Sequence, residues 1–121
     1  MKTYQTETHF PVTRNWGYYK VLHIGKGYRV KELVINPHSK LSKQRHKYRT
    51  ESWNLVKGEG YLLLHDQEKS HKYKLTTDTC IHVPILTWHQ GINESDEPCH
   101  IIEIWRGNDE NLNEDDIERQ G

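Results

Sequence analysis

The chain has 121 residues, with 17 basic and 17 acidic side chains and a formal net charge of zero. This length suits one compact domain, and the charge balance argues against nonspecific nucleic-acid binding, which needs an excess of basic surface. Hydrophobic residues make up only 33%, but four Trp and seven Tyr supply the burial that a disordered segment lacks.

Short strand-like runs recur along the chain between turn signals, with almost no helical periodicity. In chain order the runs are residues 18–24, 29–35, 52–56, 61–65, 71–75, 80–83 and 100–105. Turn residues separate them, as in the hairpin sequence Lys57-Gly58-Glu59-Gly60. Residues 108–121 are acidic and are typical of one short helix or a loose tail. Many short strands at regular spacing predict an all-β fold, an antiparallel sandwich or barrel.

The chain shows no feature of a secreted or membrane protein. Its first residues, MKTYQTETHF, contain no apolar run, and no stretch approaches the roughly 20 apolar residues that a membrane span requires. Two cysteines, Cys80 and Cys99, are too few for a disulfide framework. We therefore expect a cytoplasmic protein with free thiols and no membrane partner.

A polar run, KQRHKYRTE, falls where an antiparallel protein would place a core strand. Residues two apart on a strand share a face, so Gln44, His46 and Tyr48 should point the same way. Burying such groups without partners would cost on the order of several kcal/mol. A divalent metal would remove that cost, because imidazole, carboxylate and amide groups are suitable ligands, and Glu51 would add a negative charge.

A second stretch, HVPILTWHQGIN, would supply a further ligand from a distant strand. Pro84 ends a strand there, and His89 opens the next segment, with Asn93 four residues further on.

These two stretches resemble the two motifs of the cupin superfamily. The first motif ends in His-x-His, then Glu, six residues and Gly, and the matching positions are His46, Tyr48, Glu51 and Gly58. The second motif is Pro-x-Gly-x-x-His-x-x-x-Asn, and the matching positions are Pro84, Leu86, His89 and Asn93. Tyr48 therefore replaces a histidine, and Leu86 replaces a glycine.

Residues 12–119 further resemble the C-terminal cupin domain of type II mannose-6-phosphate isomerases, which follows a mannose-1-phosphate guanylyltransferase domain in that family. The matching positions are Arg14, Trp16, Gly17, Lys31, Pro37, Leu41, Ser42, Gln44, His46, Arg49, Glu51 and Trp53. Ser52 departs from the pattern, because the family has a histidine there. The ending NLNEDDIERQ is similar to the family's Leu-x-Glu-Asp-Asp-Ile-x-Arg.

The resemblance implies a double-stranded β-helix, the jelly-roll cupin barrel, as a single domain over residues 1–121. Its core would span about residues 12–107, with the acidic tail at 108–121. It also implies a homodimer, since open sheet edges in a small chain invite pairing. The implied ligands of a divalent ion (Zn, Mn, Fe, Co or Ni) are Gln44, His46, Glu51 and His89.

The implied reaction converts mannose 6-phosphate to fructose 6-phosphate through an enediolate, in nucleotide-sugar or polysaccharide synthesis. The resemblance covers only the cupin domain of that family, so we expect no guanylyltransferase activity from this chain alone. The candidates for proton transfer are Tyr48, Glu103 and His82. The candidates for binding the sugar phosphate are Arg49, Lys31, Arg106 and Trp88. Two alternatives stay open: a non-catalytic cupin that binds a sugar or sugar phosphate, and a related sugar isomerase or epimerase.

Overall fold

A computed structural model describes residues 8–66 and 68–120, and twelve β-strands in these ranges form two antiparallel sheets. The strands are β1 Val12–Arg14, β2 Gly17–Gly25, β3 Tyr28–Ile35, β4 Ser39–Lys40, β5 Lys43–Arg45, β6 Arg49–Lys57, β7 Tyr61–Asp66, β8 Lys69–Lys74, β9 Cys80–Val83, β10 Trp88–Asn93, β11 Cys99–Gly107 and β12 Glu118–Gln120. One 3-10 helix, Asp109–Asn111, lies between β11 and β12. No helix within the described ranges is long and apolar enough to cross a membrane.

The order of strands confirms the predicted double-stranded β-helix. The first sheet has the order β1-β2-β3-β11-β6-β9, and the second has β12-β5-β10-β7-β8, with β4 also paired to β10. From β8 onward, successive strands alternate between the two sheets. The two inner faces therefore enclose a common interior to which distant parts of the chain contribute.

The interior is apolar at one end of the barrel. Alternation along β11 turns Cys99 and Ile101 inward, and β6 contributes Trp53 and Leu55 to the same cluster. Leu62 joins them from the second sheet and is fully buried. Burial of each such aliphatic side chain contributes roughly 1.5–3 kcal/mol to folding, which makes this cluster the main stabilising element.

The interior is polar at the other end. Continuing the same alternation, β11 turns Glu103 inward, and its cross-strand partners are Trp53 on β6 and Lys31 on β3. Glu51 on β6 lies opposite Trp105 in the same way. Charged side chains almost never become fully buried unless they are paired, so this half of the barrel is where chemistry is expected.

The seven predicted strands are confirmed with small shifts of their ends. The prediction of a loose C-terminal tail is wrong, whereas that of a short helix agrees with Asp109–Asn111. β12 pairs with β5 and extends the second sheet, with Glu118 opposite Arg45. Its three residues carry no apolar alternation, which is why the sequence did not indicate a strand.

Gly58 explains why the first motif ends in a glycine. This residue lies directly after β6, and its φ is +90°, a conformation that residues with a Cβ rarely adopt. A Cβ atom at this position would lie 2.4 Å from the carbonyl oxygen of Pro98. The connection from β6 in the first sheet to β7 in the second therefore requires glycine here. The predicted hairpin at Lys57–Gly60 is wrong, because these two strands do not pair with each other.

Candidate metal centre

Three buried side chains converge between the sheets: His46, Glu51 and His89. Their ligand-type atoms all lie within 4.8 Å of one another. Glu51 comes from β6 of the first sheet, His89 from β10 of the second, and His46 from the bend that follows β5. His46 Nε2 lies 3.0 Å from Glu51 Oε2, and His89 Nε2 lies 3.3 Å from Glu51 Oε1. The fold thus brings together three of the four ligands that the resemblance implied.

Gln44, the fourth implied ligand, lies beside this cluster. It is the cross-strand partner of His89, so the two residues are direct neighbours on β5 and β10. Its side chain lines the same cavity as the cluster.

Both imidazole rings are oriented by main-chain carbonyl groups. His46 Nδ1 lies 2.7 Å from the carbonyl oxygen of Asp116, and His89 Nδ1 lies 2.9 Å from that of Thr87. A carbonyl oxygen can only accept, so each Nδ1 carries a proton and the lone pair of a neutral ring is at Nε2. This is the arrangement found around metal-bound histidines.

The donor set fits a divalent cation. His89 Nε2 is buried and makes no hydrogen bond within the described residues, although it lies beside the Glu51 carboxylate. Two imidazole nitrogens and a carboxylate suit Zn, Mn, Fe, Co or Ni. An ion among these three side chains would satisfy the unpaired nitrogen.

Glu51 is the most densely contacted member of the cluster and is only 1% exposed. Its carboxylate accepts hydrogen bonds from Arg49 Nε at 2.9 Å and from Trp53 Nε1 at 3.0 Å. Burial acts to raise the pKa of Glu51, but the electrostatic attraction of the adjacent His46 and His89 side chains outweighs it and holds the pKa well below its usual range. The carboxylate is therefore ionised and available as a ligand.

A cavity of about 940 Å³ adjoins the cluster. Its wall includes several residues that the sequence predicted for the site, namely Lys31, Gln44, His46, Arg49, Glu51, His89 and Glu103. The C-terminal segment closes part of the wall through Glu114, Asp115 and Ile117. The cavity is large enough for a sugar phosphate and offers it mainly polar groups.

Glu103 is the second buried carboxyl group of the cavity, at 4% exposed. Its carboxylate accepts a hydrogen bond from Trp105 Nε1. Burial and the negative charge of Glu51 raise its pKa, while the charges of Lys31 and Arg49 act in the opposite direction. A carboxyl group with a raised pKa beside a metal-type cluster is a candidate for proton transfer.

The two predicted phosphate ligands in the cavity already have partners. Lys31 Nζ lies 3.0 Å from Glu114 Oε1 and 3.9 Å from the centre of the Tyr19 ring. The Arg49 guanidinium stacks on the Trp105 ring, 3.3 Å from its centre, besides bonding Glu51. Both cations thus already neutralise carboxylates, Lys31 that of Glu114 and Arg49 that of Glu51, before any ligand binds.

Tyr48 does not share the face of Gln44 and His46, so that prediction is wrong. β5 ends at Arg45, and the chain bends before β6 begins at Arg49. The Tyr48 side chain is 52% exposed and does not line the cavity.

His82, Arg106 and Trp88 also lie outside the cavity wall, contrary to their predicted roles. His82 and Arg106 are exposed because they alternate with residues that turn inward, Val83 and Trp105. Trp88 is half-buried and is covered by the guanidinium of Arg45, 4.8 Å from its ring centre.

Two contributors to the site were missed from the sequence. Trp53 was named only as a position that matches the family pattern, yet its indole nitrogen donates to Glu51 and its ring meets His89 edge-on. Its position two residues after Glu51, on the same face of β6, is the signal that could have identified it. Asp116 lies in the family-like ending NLNEDDIERQ, but nothing in that acidic run indicated a contact with His46, which is 70 residues away in the chain.

Leu86 occupies the glycine position of the second motif and keeps the glycine conformation. Its φ is +56°, in the left-handed region, which costs a residue with a Cβ roughly 1–2 kcal/mol. Its backbone N–H donates to the carbonyl oxygen of His46 at 2.7 Å. The loop between β9 and β10 thus contacts the bend that carries His46, although the backbone of Leu86 is strained there.

We expect the metal-free protein to be most stable at mildly acidic pH and to lose stability at both lower and higher pH. The pKa of Glu51 is lowered, so its stabilisation is lost as the pH falls from about 4.5 through the lower folded-state pKa. Burial acts to lower the pKa of His89, but Glu51 raises it above 6.5 on balance, so its stabilisation is lost as the pH rises through that raised value. Glu103, whose pKa is also raised, acts in the same direction as His89.

Thermal unfolding in a chelator across this pH range tests the prediction. His89→Gln should reduce the loss of stability as the pH rises. The double variant, which also carries Glu103→Gln, should show no such loss. A decline of undiminished slope in the double variant would contradict it. Lys57→Gln, an exposed change at the end of β6, serves as the control.

Comparison with known proteins agrees with this architecture. Residues 2–121 match the family model described as "Mannose-6-phosphate isomerase C-terminal". The chain is 34% identical over 115 residues to the alginate biosynthesis protein AlgA of Pseudomonas aeruginosa, covering 95% of this chain and 23% of AlgA. It is 31% identical over 113 residues to mannose-1-phosphate guanylyltransferase 2 of Escherichia coli O157:H7, covering 93% and 22%. The chain thus spans less than a quarter of the length of these curated relatives.

A solved structure supports the fold. A cupin-2 domain of Rhodospirillum rubrum superposes with a TM-score of 0.69 at 16% identity, covering 86% of this chain and 65% of that one. Identity this low shows the fold alone, and that fold is the cupin barrel. The chain therefore belongs to the family of mannose-6-phosphate isomerase C-terminal domains, and its two sheets form a cupin.

Proposed function

We propose that this chain is a metal-dependent aldose–ketose isomerase that interconverts mannose 6-phosphate and fructose 6-phosphate. One observation carries the proposal: the buried cluster of His46, Glu51 and His89 forms part of the wall of a 940 Å³ polar cavity. A cation held there would be adjacent to any sugar in the cavity. The relatives' roles in alginate biosynthesis and mannose-1-phosphate chemistry favour a mannose phosphate as substrate.

The reaction moves a proton between C2 and C1 of the open-chain sugar through an enediolate. His46, Glu51 and His89 would hold the divalent ion, with Gln44 in reach as a further ligand. A divalent ion held there would supply positive charge to stabilise the developing oxyanions. Proton transfer needs a separate base, and Glu103 lies in the same wall without belonging to the ligand cluster. The buried indole of Trp105 holds the Glu103 carboxylate in place.

Phosphate recognition is assigned to cations other than Lys31 and Arg49, because those two are already paired. Four further cationic side chains line the cavity, and none forms an ion pair with a carboxylate among the described residues. They are Arg14, Lys40, Lys43 and Arg119. Arg119 on β12 is the cross-strand partner of Gln44, whereas Lys43 on β5 is the partner of Gln120, so each cation would act on the phosphate separately.

Lys43→Gln and Arg119→Gln should each raise KM for mannose 6-phosphate roughly 10- to 100-fold while leaving kcat nearly unchanged, because a hydrogen bond to a charged group contributes about 1.5–3 kcal/mol. Steady-state isomerisation assays measure both constants. Lys57→Gln is the matched control, since this exposed lysine does not line the cavity. Unchanged KM in both variants would place the phosphate elsewhere.

A second candidate function, a binding module without turnover, has one observation in its favour. The Arg49 guanidinium lies 2.9 Å from Glu51 Oε2 and 3.3 Å from His46 Nε2, so it already compensates the carboxylate charge without a metal. A cupin of this kind would hold a sugar phosphate in the cavity by hydrogen bonds alone.

Two measurements separate the candidates. Elemental mass spectrometry of the purified chain gives the metal content, and NMR in D₂O follows exchange of the C2 proton of mannose 6-phosphate. About one divalent ion per chain with metal-dependent exchange would support the isomerase. Tight binding of mannose 6-phosphate with no exchange in the presence of Zn, Mn or Co would support the binding module. Exchange with other hexose phosphates but not this one would indicate a related isomerase or epimerase.

A further inference from the structure

The C-terminal segment Asn113–Gln120, here called the strap, runs across the candidate metal centre. Its last residues form β12, which pairs with β5 so that Arg119 lies opposite Gln44. Earlier strap residues line the cavity, among them Glu114 and Ile117. The strap is therefore part of the wall on the side where the chain bends from β5 to β6.

Asp116 contacts this bend through both its main chain and its side chain. Its carbonyl oxygen accepts the Nδ1 proton of His46 at 2.7 Å. Its two carboxylate oxygens accept the backbone N–H groups of Lys47 and Tyr48 at 2.8 and 3.0 Å. These three bonds hold three consecutive residues and direct Nε2 of His46 toward Glu51.

Two other strap residues contact side chains of the cavity wall. The carbonyl oxygen of Asn113 accepts a hydrogen bond from Arg49 at 3.1 Å. The carboxylate of Glu114 pairs with Lys31 at 3.0 Å. The strap thus holds groups of the first sheet as well as the bend, and Asp116 is the member that bonds a ligand-type residue directly.

We propose that Asp116 is a positioning residue for His46: its carboxylate fixes the bend, and its carbonyl group fixes the ring tautomer and direction that metal binding requires. This inference rests on the metal site of the proposed function. Outer partners of metal ligands typically change metal affinity 10- to 100-fold when they are lost. Nothing in the proposed chemistry requires Asp116 to touch the substrate.

The test compares Asp116→Ala with Glu110→Ala, an exposed acidic residue on the neighbouring 3-10 helix. The first readout is long-range nitrogen–proton NMR of the His46 ring in metal-free protein, which distinguishes the two tautomers. The second is Co²⁺ and Zn²⁺ affinity by competition with a chelator. Asp116→Ala should convert His46 from the Nδ1–H form to a mixture and weaken metal binding 10- to 100-fold. Glu110→Ala should change neither.

Asp116→Asn keeps one side-chain oxygen that can accept a backbone N–H of the bend, so its loss of metal affinity should be intermediate. This variant replaces Asp116→Ala if the latter does not fold. Wild-type His46 signals and metal affinity in the tested Asp116 variant would overturn the proposal. If the wild-type chain takes up neither ion, the isomerase proposal fails on its own. The His46 tautomer in metal-free protein would still decide whether Asp116 positions the ring.

Discussion

Glu51→Gln should abolish stoichiometric metal binding and lower the unfolding free energy of the metal-free protein by about 3–5 kcal/mol. The side chain keeps its shape but loses its charge, so the buried Arg49 guanidinium is left without compensation. The NH2 of the new amide group would also face one of the two donors to Glu51, either Arg49 Nε or Trp53 Nε1. A buried unpaired donor is costly because water cannot replace the lost partner.

Urea denaturation in a chelator measures the loss of stability, and elemental mass spectrometry measures the loss of metal. Glu118→Gln is the matched control: its carboxylate pairs with Arg45 on the exposed edge of the sheet, where an ion pair contributes at most about 1 kcal/mol. One divalent ion per chain in Glu51→Gln would refute the assigned ligand cluster. An unfolding free energy equal to that of the wild type would refute the claim that Glu51 compensates the buried charge of Arg49.

The ligand-type cluster could be predicted because it depends on two local spacings. His46 and Glu51 flank the start of β6, and His89 follows Pro84 at the motif distance, so the resemblance alone placed them together. The inward direction of Glu103 could equally be read from alternation along β11. Glu51 and Glu103 are fixed by the period of their strands, which the sequence displays directly.

The bend between β5 and β6 could not be predicted, because its cause lies far away in the chain. Lys43 to Tyr48 read as one continuous strand, but the backbone N–H groups of Lys47 and Tyr48 bond the carboxylate of Asp116 instead of a neighbouring strand. Tyr48 consequently leaves the face of Gln44 and becomes exposed. A contact across nearly 70 residues overrides the local pattern.

The partners of Lys31 and Arg49 were hidden for a similar reason. Each is a cation of the type that binds phosphate, and each lines the cavity. Their charges are nevertheless balanced by Glu114 from the strap and by Glu51 from the cluster. The residue types show that the site is polar. Which cation binds a ligand can be decided only once the ion pairs within the folded protein are known.

Glu103→Gln should reduce kcat for mannose 6-phosphate isomerisation by about 10²- to 10⁴-fold while leaving metal affinity unchanged. The substitution removes the base but keeps an oxygen that accepts the hydrogen bond from Trp105, and Glu103 is not one of the clustered ligands. His82→Gln is the matched control, because His82 was a candidate base from the sequence and is exposed outside the cavity. Full turnover in Glu103→Gln would transfer the role of base to another residue.

The pH dependence of kcat distinguishes a catalytic role of Glu103 from a structural one, because a structural residue would not set the pKa of this profile. A general base must be ionised, and burial together with the charge of Glu51 raises the pKa of Glu103. The value of kcat should therefore rise with pH through a pKa above the ordinary glutamate range and level off beyond it. Glu51→Gln, although inactive, removes the negative neighbour and should lower the pKa of Glu103, which NMR titration of its side-chain carboxyl carbon would detect. An unchanged titration would mean that burial alone sets the pKa, and that the two carboxyl groups of the cavity act independently.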